Sequence, residues 1–403
     1  MGVADTIRRE AAELWGEGRG PLLVVIAGGW GVLLGARMIY PVLLPYLRSS
    51  FDLSLTVGGL LVTILWLGSA LGQLPGGILA DRYSERSVMV AGALVAAGAL
   101  VLVVTAPTPL VLFAATALVG LGQSLYPIAR ITILSKIYPD RIGSALGVTM
   151  ATGDLGQTVL PPIGGAIAAA IAWQFGLGFI APLLLVVAVV LWVTLPARPS
   201  TESPADSLSM ESVSAVVGKL RRANLGFVAF ILFLYILIWQ SFTGLYPTYL
   251  VERKGLSSSL AGVLFSVFFA FGVLVKPLAG AAYDRIGLRR ALVVVLVGPV
   301  GGLAVLPFVD GFWPLVAVTA LVSTMLGSGA ITQSFLSDTI PQEVRGTGLG
   351  AVRTTSATFG ALGPVLFGAL ADRGYFDEGY ILLAAVLVAV ILLTLRLPEQ
   401  SAA

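Results

Sequence analysis

Five charged side chains lie inside long apolar stretches of this sequence. They are Arg37, Arg130, Asp154, Lys276 and Arg353. A charge at the centre of a lipid bilayer costs roughly 2.5–3.5 kcal/mol on insertion scales, so such residues are candidates for binding or proton transfer. Four of the five are cations, and the one carboxylate neutralises at most one of them. The excess positive charge predicts a binding site for an anionic ligand, and Asp154 is the candidate for proton coupling.

Each of these charges also has a structural interpretation. Asp154 can be the ion-pair partner of Arg37 or of Arg130. Arg130 lies near the end of its apolar stretch, so its long side chain can instead reach the membrane interface. Arg353 can pair with a carboxylate in a loop, such as Asp81. The sequence leaves these alternatives open.

The composition indicates that the elements positioning these charges cross a membrane. Hydrophobic residues make up 57% of the 403 residues and charged residues 11%, against about 25% charged in a typical soluble domain. The chain contains no Cys and no His, which excludes disulfides, cysteine-ligated clusters and the usual haem and copper ligands. We therefore expect no resident metal or cofactor, and proton coupling would have to use a carboxylate. The net charge of +3 gives no indication of a nucleic-acid partner.

Twelve apolar segments can be identified between charged residues and Gly or Pro clusters. Runs of this length are typical of membrane-spanning helices. If both termini are cytoplasmic, sixteen Lys and Arg residues fall on the cytoplasmic side and four on the outside, which is a clear positive-inside distribution. The approximate segments are 22–47, 55–80, 87–106, 109–134, 143–168, 175–196, 225–250, 258–283, 290–309, 313–337, 346–371 and 379–396.

The longest hydrophilic stretch, 198–224, is rich in Ser, Pro and charge and indicates a cytoplasmic linker between two six-helix halves. We predict an all-α, multi-pass protein of a prokaryotic cell membrane, surrounded by lipid and acting as a monomer. Its predicted parts are a cytoplasmic amphipathic segment (1–21), a first helical bundle (22–197), the linker (198–224), a second bundle (225–397) and a tail (398–403).

The two halves are related by a shift of 203 residues, which places residues 76–87 over residues 279–290. An even number of helices per repeat preserves orientation, so the repeats are parallel, with a pseudo-two-fold axis along the membrane normal. The matched residues include Gly77 with Gly280, Asp81 with Asp284 and Arg82 with Arg285.

The same shift also pairs three intramembrane cations with glutamines. At each pair of related positions, one half carries a cation and the other an uncharged amide, which predicts one asymmetric cavity for one anion near the repeat interface. The pairs are Arg37 with Gln240, Lys276 with Gln73, and Arg130 with Gln333. Arg353 and the aromatic residues Tyr40 and Tyr126 complete the predicted substrate site.

The loop after segment 2, Gly77-Ile-Leu-Ala-Asp81-Arg82-Tyr-Ser-Glu-Arg86, resembles the G-x-x-x-D-R-x-G-R-R motif of the major facilitator superfamily. A second copy begins at Gly280, after segment 8. The resemblance implies twelve helices in two bundles that rock about a central site, with the motif gating the cytoplasmic face. Anchoring by positive charge is the simpler alternative. The residues to which the resemblance gives gating roles are Gly77, Asp81, Arg82, Arg86, Gly280, Asp284, Arg285 and Arg289.

Within that superfamily, Val275-Lys276-Pro277-Leu-Ala-Gly280 is similar to a stretch of the oxalate/formate and monocarboxylate facilitators. The resemblance implies that Lys276 acts with a cation of segment 1 or segment 11, which here are Arg37 and Arg353. It therefore favours a mono- or dicarboxylate as the substrate.

The sequence thus predicts a secondary transporter, and not an enzyme, that carries a small organic anion by proton symport or anion exchange. The alternative is a proton-coupled exporter of drugs or other amphipathic compounds. Segment 5 partly resembles an exporter motif over 156–165, but the Arg that many such exporters carry in segment 4 is absent.

Overall fold

The computed structural model describes residues 14–196, 225–339 and 354–396. Within these ranges the chain is helical and contains no β-strand, which confirms the all-α prediction for the part described. Nine of the described helices are long and apolar enough to cross a membrane. One of them, Ser258–Phe308, carries two predicted segments, and the apolar helix Leu55–Leu71 is shorter than a full span. The number twelve and the cytoplasmic side of the termini stay predictions.

Helices of the first half follow one another with short connections. They are α1 (Gly20–Phe51), α2 (Leu55–Leu71), α3 (Gln73–Arg82), α4 (Glu85–Val104), α5 (Pro109–Ser124), α6 (Tyr126–Ile137), α7 (Ile142–Ala170), α8 (Trp173–Gly178) and α9 (Ile180–Thr194).

Helices of the second half include one that is unusually long. They are α10 (Leu225–Glu252), α11 (Ser258–Val305), α12 (Phe312–Ser323), α13 (Gly327–Thr339), α14 (Gly363–Asp372) and α15 (Phe376–Thr394). Short 3₁₀ turns occupy Gly16–Gly18, Leu306–Phe308 and Thr324–Leu326.

Local sequence signals explain where several helices begin and bend. The side chain of Ser84 accepts a hydrogen bond from the Ser87 N–H and caps α4, and Thr108 caps α5 in the same way, just before Pro109. Within α11, Gly287 has a φ of 75° and separates two helical stretches. Glycine is favoured there because a side chain is strained at positive φ.

The chain forms two compact units, which are described separately. The first unit comprises Met1–Ile39 and Gly68–Ala205. In it, α4 packs against α5 and α9, and α7 packs against α8. Helices α1 and α7 approach so closely that a Cβ atom on Gly156 would collide with the carbonyl oxygen of Gly31. Small residues permit this approach, which fixes the backbone of α1 against that of α7.

The second unit comprises Tyr40–Leu67 and Asp206–Ala403, so it contains the end of α1 and most of α2 together with α10–α15. Helix α11 packs against α12, α13 and α15, while α10 packs against α14. A Cβ on Gly59 would collide with the carbonyl oxygen of Pro364, and one on Gly368 with that of Leu55. Glycines therefore bring α2 and α14 into backbone contact.

Candidate functional site

Arg37, in the first unit, is a cation whose hydrogen-bonding partners are neutral. Its Nε donates to Oε1 of Gln123 at 3.0 Å, and its Nη2 donates to the hydroxyl of Ser69. Its Nη1 makes no hydrogen bond to any residue that the structure describes, and the side chain is half-buried. Among those same residues, no carboxylate lies within ion-pair distance of Arg37. The guanidinium therefore keeps its full positive charge and one free donor edge.

Gln123, on α5, is oriented by this contact. Because its Oε1 accepts the hydrogen bond from Arg37, its Nε2 must point elsewhere. That Nε2 is buried and has no acceptor within the described ranges. Ser69 belongs to the same group, because its carbonyl oxygen accepts a hydrogen bond from Nε2 of Gln73 at 3.2 Å. The predicted site residues Arg37 and Gln73 are thus linked through Ser69.

Arg130 is buried in an aromatic cluster of the first unit, with 5% of its surface exposed. Its guanidinium lies 4.2 Å from the ring centre of Trp30, and its Nη1 donates to the hydroxyl of Thr149 at 2.6 Å. Trp30 in turn stacks on Tyr126, whose hydroxyl donates to the carbonyl oxygen of Ile26. A desolvated cation over an indole face is stabilised by about 2 kcal/mol or more. Arg130 therefore connects α1, α6 and α7.

Asp154 is half-buried on α7. Its Oδ1 accepts a hydrogen bond from Nε2 of Gln157 at 3.3 Å, and Gln157 is itself 7% exposed. The carboxylate is thus one turn from a buried amide on its own helix. Its role in proton coupling stays a prediction.

The remaining predicted binding residues are distributed along the chain. Tyr126 shares the first unit with Arg37, while Tyr40, Gln240, Lys276 and Gln333 belong to the second unit. Tyr40 and Gln240 are buried, Lys276 is half-buried and Gln333 is exposed. Arg353 lies outside the described residues.

The predicted gating motif makes a defined contact at Arg86. Its guanidinium lies 4.2 Å from the ring centre of Trp192, and its Nη1 donates to the carbonyl oxygen of Leu195 at 3.1 Å. These contacts hold the start of α4 against the end of α9. Glu85, the residue before Arg86, forms an ion pair with Lys136, with 2.8 Å between Oε1 of Glu85 and Nζ of Lys136. Arg82 is exposed, and the side chain of Asp81 is not among those described.

The second copy of the motif, on α11, exposes most of its charged side chains to solvent. Asp284 and Arg285 are exposed and Arg289 is half-buried. A Cβ on Gly280 would meet no atom within 4 Å, whereas one on Gly77 would touch Ile128 at 3.4 Å. Among the described residues, Gly280 therefore makes no close helix contact of the kind seen at Gly77.

A group of polar contacts in the second unit was not anticipated from the sequence. The carboxylate of Asp372, at the end of α14, accepts hydrogen bonds from the N–H groups of Leu55 and Thr56, each at 2.7 Å, and from the Thr56 hydroxyl. Arg48 pairs with Glu252. These contacts join residues of the predicted first bundle to residues of the predicted second bundle.

A neighbouring contact involves Asp377, at the start of α15. It accepts hydrogen bonds from the Tyr249 hydroxyl at 2.7 Å and from Nη2 of Arg253. The hydrogen bond and charge of Asp377 raise the pKa of Arg253 above its ordinary value. Because Arg253 is exposed to solvent, the ion pair contributes little to the stability of the fold. Its main effect is to orient the C-terminal end of α10.

Comparisons with known proteins agree with this architecture. The family model described as "Major Facilitator Superfamily" matches residues 25–364 and 228–403. A hexuronate transporter of Bacillus subtilis (strain 168) is 26% identical over 378 residues, covering 87% of this chain and 88% of its own. The multidrug resistance protein MdtG of Salmonella arizonae is 30% identical over 281 residues, covering 67% and 66%.

The fold also resembles that of a solved membrane transporter. The crystal structure of a D-xylose-proton symporter superposes with a TM-score of 0.77 at 16% identity, covering 95% of this chain and 99% of the other. At this identity the similarity supports the fold alone.

Proposed function

The chain belongs to the Major Facilitator Superfamily, and we propose that this transporter carries a small organic anion, a mono- or dicarboxylate, across the cell membrane. Transport runs by alternating access, driven by proton symport or anion exchange. The proposal includes the arrangement expected from the sequence, with twelve helices in two parallel repeats and both termini in the cytoplasm. The multi-pass membrane protein acts as a monomer in a prokaryotic cell membrane.

One observation carries the choice of an anion: Arg37 is a cation held by neutral groups. Gln123 and Ser69 fix its orientation without cancelling its charge. The free Nη1 edge of Arg37 and the buried, unpartnered Nε2 of Gln123 supply two N–H donors. A carboxylate accepts hydrogen bonds from N–H donors of this kind, and each such bond to a charged group contributes roughly 1.5–3 kcal/mol. An ionised ligand thus supplies the missing negative charge.

Asp154 is the proposed proton carrier. Protonation of this carboxylate on one side of the membrane and release on the other would couple the proton gradient to the substrate. Its amide neighbour Gln157 donates to Oδ1 and can remain hydrogen-bonded in both protonation states.

The relatives support both the proposal and its alternative. Hexuronates are organic anions, and the hexuronate transporter matches most of this chain. The match to the multidrug resistance protein favours the second candidate, a proton-coupled exporter of drugs or other amphipathic compounds. An exporter of cationic drugs would not need the uncompensated charge of Arg37.

Ligand-induced stabilisation of the purified protein in detergent tests the proposal. The panel comprises mono- and dicarboxylates, hexuronates, neutral sugars and lipophilic cations. A ligand at ~100 times its Kd stabilises the native state by about 2.7 kcal/mol, which raises the Tm measurably. We expect shifts from carboxylates and none from lipophilic cations. The reverse pattern contradicts the anion proposal and favours the exporter.

Substitution at Arg37 localises the binding. Arg37→Gln removes the charge and is expected to weaken carboxylate binding by about 10- to 100-fold, the equivalent of one charge-assisted hydrogen bond. The matched control is Arg373→Gln, because Arg373 is exposed and its Nη1 donates to the carbonyl oxygen of Ala369, one turn earlier in the same helical segment. Unchanged affinity in Arg37→Gln would remove Arg37 from the site.

A further inference from the structure

We infer that Ser69 belongs to the anion site and that its hydroxyl donates a hydrogen bond to the transported carboxylate. Together with Arg37 and Gln123, it presents the ligand with hydrogen-bond donors, so the site selects an ionised carboxylate and rejects neutral molecules of the same shape. The inference rests on the proposed transport of an organic anion and adds a residue and a selectivity to that site. All three residues belong to the first unit.

Close packing of α2 against α5 brings Ser69 and Gln123 to the same guanidinium. A Cβ on Gly68 of α2 would lie 2.9 Å from the carbonyl oxygen of Ala117 on α5. Glycine permits this approach, because no side chain separates the two backbones. Ser69, the next residue of α2, and Gln123 of α5 both accept a hydrogen bond from Arg37 on α1. Three helices therefore meet at this cation.

The contact with Arg37 also fixes where the Ser69 proton points. Ser69 is 3% exposed, and its hydroxyl oxygen accepts the hydrogen bond from Nη2 of Arg37. Because the oxygen faces the guanidinium, the hydroxyl's own proton points away from it. No residue in the described ranges accepts that proton. Ser69 is thus a buried donor that lacks an acceptor.

Other hydroxyls of the first unit donate within their own helix. On α7, Thr152 donates to the carbonyl oxygen of Val148 at 2.9 Å, and Thr158 donates to that of Asp154 at 2.8 Å. Helical Ser and Thr commonly use the preceding turn in this way. Ser69 is instead turned towards the guanidinium, which leaves its donor unused. A buried unpaired donor destabilises a fold, so a ligand that accepts the proton accounts for this arrangement.

The donors that remain on Arg37 have the geometry of a carboxylate fork. A guanidinium has five N–H groups, of which Nε uses one on Gln123 and Nη2 uses one on Ser69. The three others lie on Nη1 and Nη2, and that edge can bind two carboxylate oxygens side by side. Both side-chain oxygens that contact the guanidinium are already engaged by it, so these contacts supply no acceptor for the ligand.

A set of donors determines the ionisation state of the ligand. A carboxylate only accepts hydrogen bonds, so each of its oxygens matches this set. The undissociated acid and a primary amide each carry a donor of their own, which would face the N–H and O–H groups and leave both sides unpaired. In proton symport, the coupled proton would then travel on the protein and not on the carboxyl group of the substrate.

Carboxylates and their amides test the selectivity. Titration calorimetry on the purified full-length protein gives the Kd values of butyrate, succinate, butyramide and succinamide. We expect each amide to bind at least tenfold more weakly than its carboxylate. Ser69→Ala should weaken carboxylate binding by about tenfold, and Ser69→Thr should restore it because the hydroxyl is retained. The matched control is Ser124→Ala, because Ser124 is 0% exposed and its hydroxyl donates to the carbonyl oxygen of Leu121 in its own helix.

A second readout separates contact with the ligand from mere orientation of Arg37. The chain contains no Cys, so Ser69→Cys introduces a single thiol. Methyl methanethiosulfonate, a neutral reagent of about the size of butyrate, should modify this thiol, and saturating carboxylate should slow the reaction at least fivefold. Reaction at Ser124→Cys should not depend on the carboxylate. No reaction at Ser69→Cys, or equal rates with and without carboxylate, would show that the ligand does not reach Ser69.

The remaining outcomes distinguish this inference from the proposed function. Unchanged carboxylate affinity in Ser69→Ala, or equal affinity for carboxylates and their amides, overturns the role of Ser69 and the selectivity alone. Absence of binding by every carboxylate tested overturns the proposed function and this inference together.

Discussion

The contact of Asp372 with the start of α2 makes a measurable prediction about alternating access. A carboxylate at a helix N-terminus satisfies free N–H groups and interacts favourably with the helix dipole. Asp372 does both for α2, although it belongs to α14. The proposed mechanism requires the two bundles to separate at this face in one state. If the bundles separate there, the contact of Asp372 with Leu55 and Thr56 is lost, so we expect Asp372 to favour the closed arrangement of this face over the open one.

The magnitude follows from the contacts. Loss of an N-cap side chain typically costs about 1 kcal/mol. Because Asp372 is exposed, we use this typical value for the free energy that Asp372→Ala removes from the closed state. Since 1.4 kcal/mol corresponds to a factor of ten, Asp372→Ala should shift the closed-to-open ratio about fivefold towards open. Asp372→Asn retains an acceptor oxygen but loses the charge, and it should have a smaller effect.

Cysteine accessibility is the assay. The chain contains no Cys, so a single Val62→Cys substitution gives one reactive thiol without further changes. Val62 is 0% exposed on α2, and it lies beside Gly244 of α10 in the described structure. A membrane-impermeant maleimide, added on the side predicted to be extracellular, should label this thiol about fivefold faster when Asp372→Ala is also present.

The matched control for this experiment is Asp310→Ala. Asp310 is another exposed aspartate, and its ion pair with Lys254 at 3.0 Å does not involve α2. Its loss should leave the labelling rate unchanged. Equal labelling with and without Asp372→Ala, in proteins of equal Tm, would refute the assignment of Asp372 to the closed state.

Three further predictions concern the first unit. Gln123→Glu should weaken carboxylate binding at least tenfold in calorimetry, because the new carboxylate neutralises the adjacent cation and repels the ligand. Asp154→Asn should abolish proton-driven uptake into proteoliposomes while counterflow of labelled substrate persists, because the amide cannot carry a proton. Gly156→Ala should lower the Tm by several degrees, because its methyl group would meet the carbonyl oxygen of Gly31. Gly147→Ala should not, since no described residue outside its own helix backbone would lie within 4 Å of the added methyl group.

Each of these has an opposing result. Normal carboxylate affinity in Gln123→Glu would show that the amide does not face the ligand. Proton-driven accumulation by Asp154→Asn would assign that residue a structural role. Equal melting temperatures for the two alanine variants of Gly156 and Gly147 would mean that α1 and α7 separate easily.

The sequence by itself determined the class of the protein. Transfer of apolar residues from water into lipid is favourable wherever the residue lies in the fold, so composition and run length predicted helical membrane segments without tertiary information. The duplicated motif around Asp81 and Asp284 predicted the superfamily, which the family model confirms. The sequence also selected Arg37 as a cation at bilayer depth.

Only the tertiary structure decided what surrounds those residues. Gln123 is 86 residues from Arg37 and Asp372 is 317 from Leu55, so no periodicity along one helix connects either pair. The stacking of Trp66 on Trp239 likewise depends on α2 packing against α10. The apolar residues of one segment determine whether that segment is stable in lipid. Hydrogen bonds between helices depend instead on which helices are neighbours and on the depth at which their polar side chains lie. The cations were therefore visible in the sequence, but their neutral partners were fixed by packing.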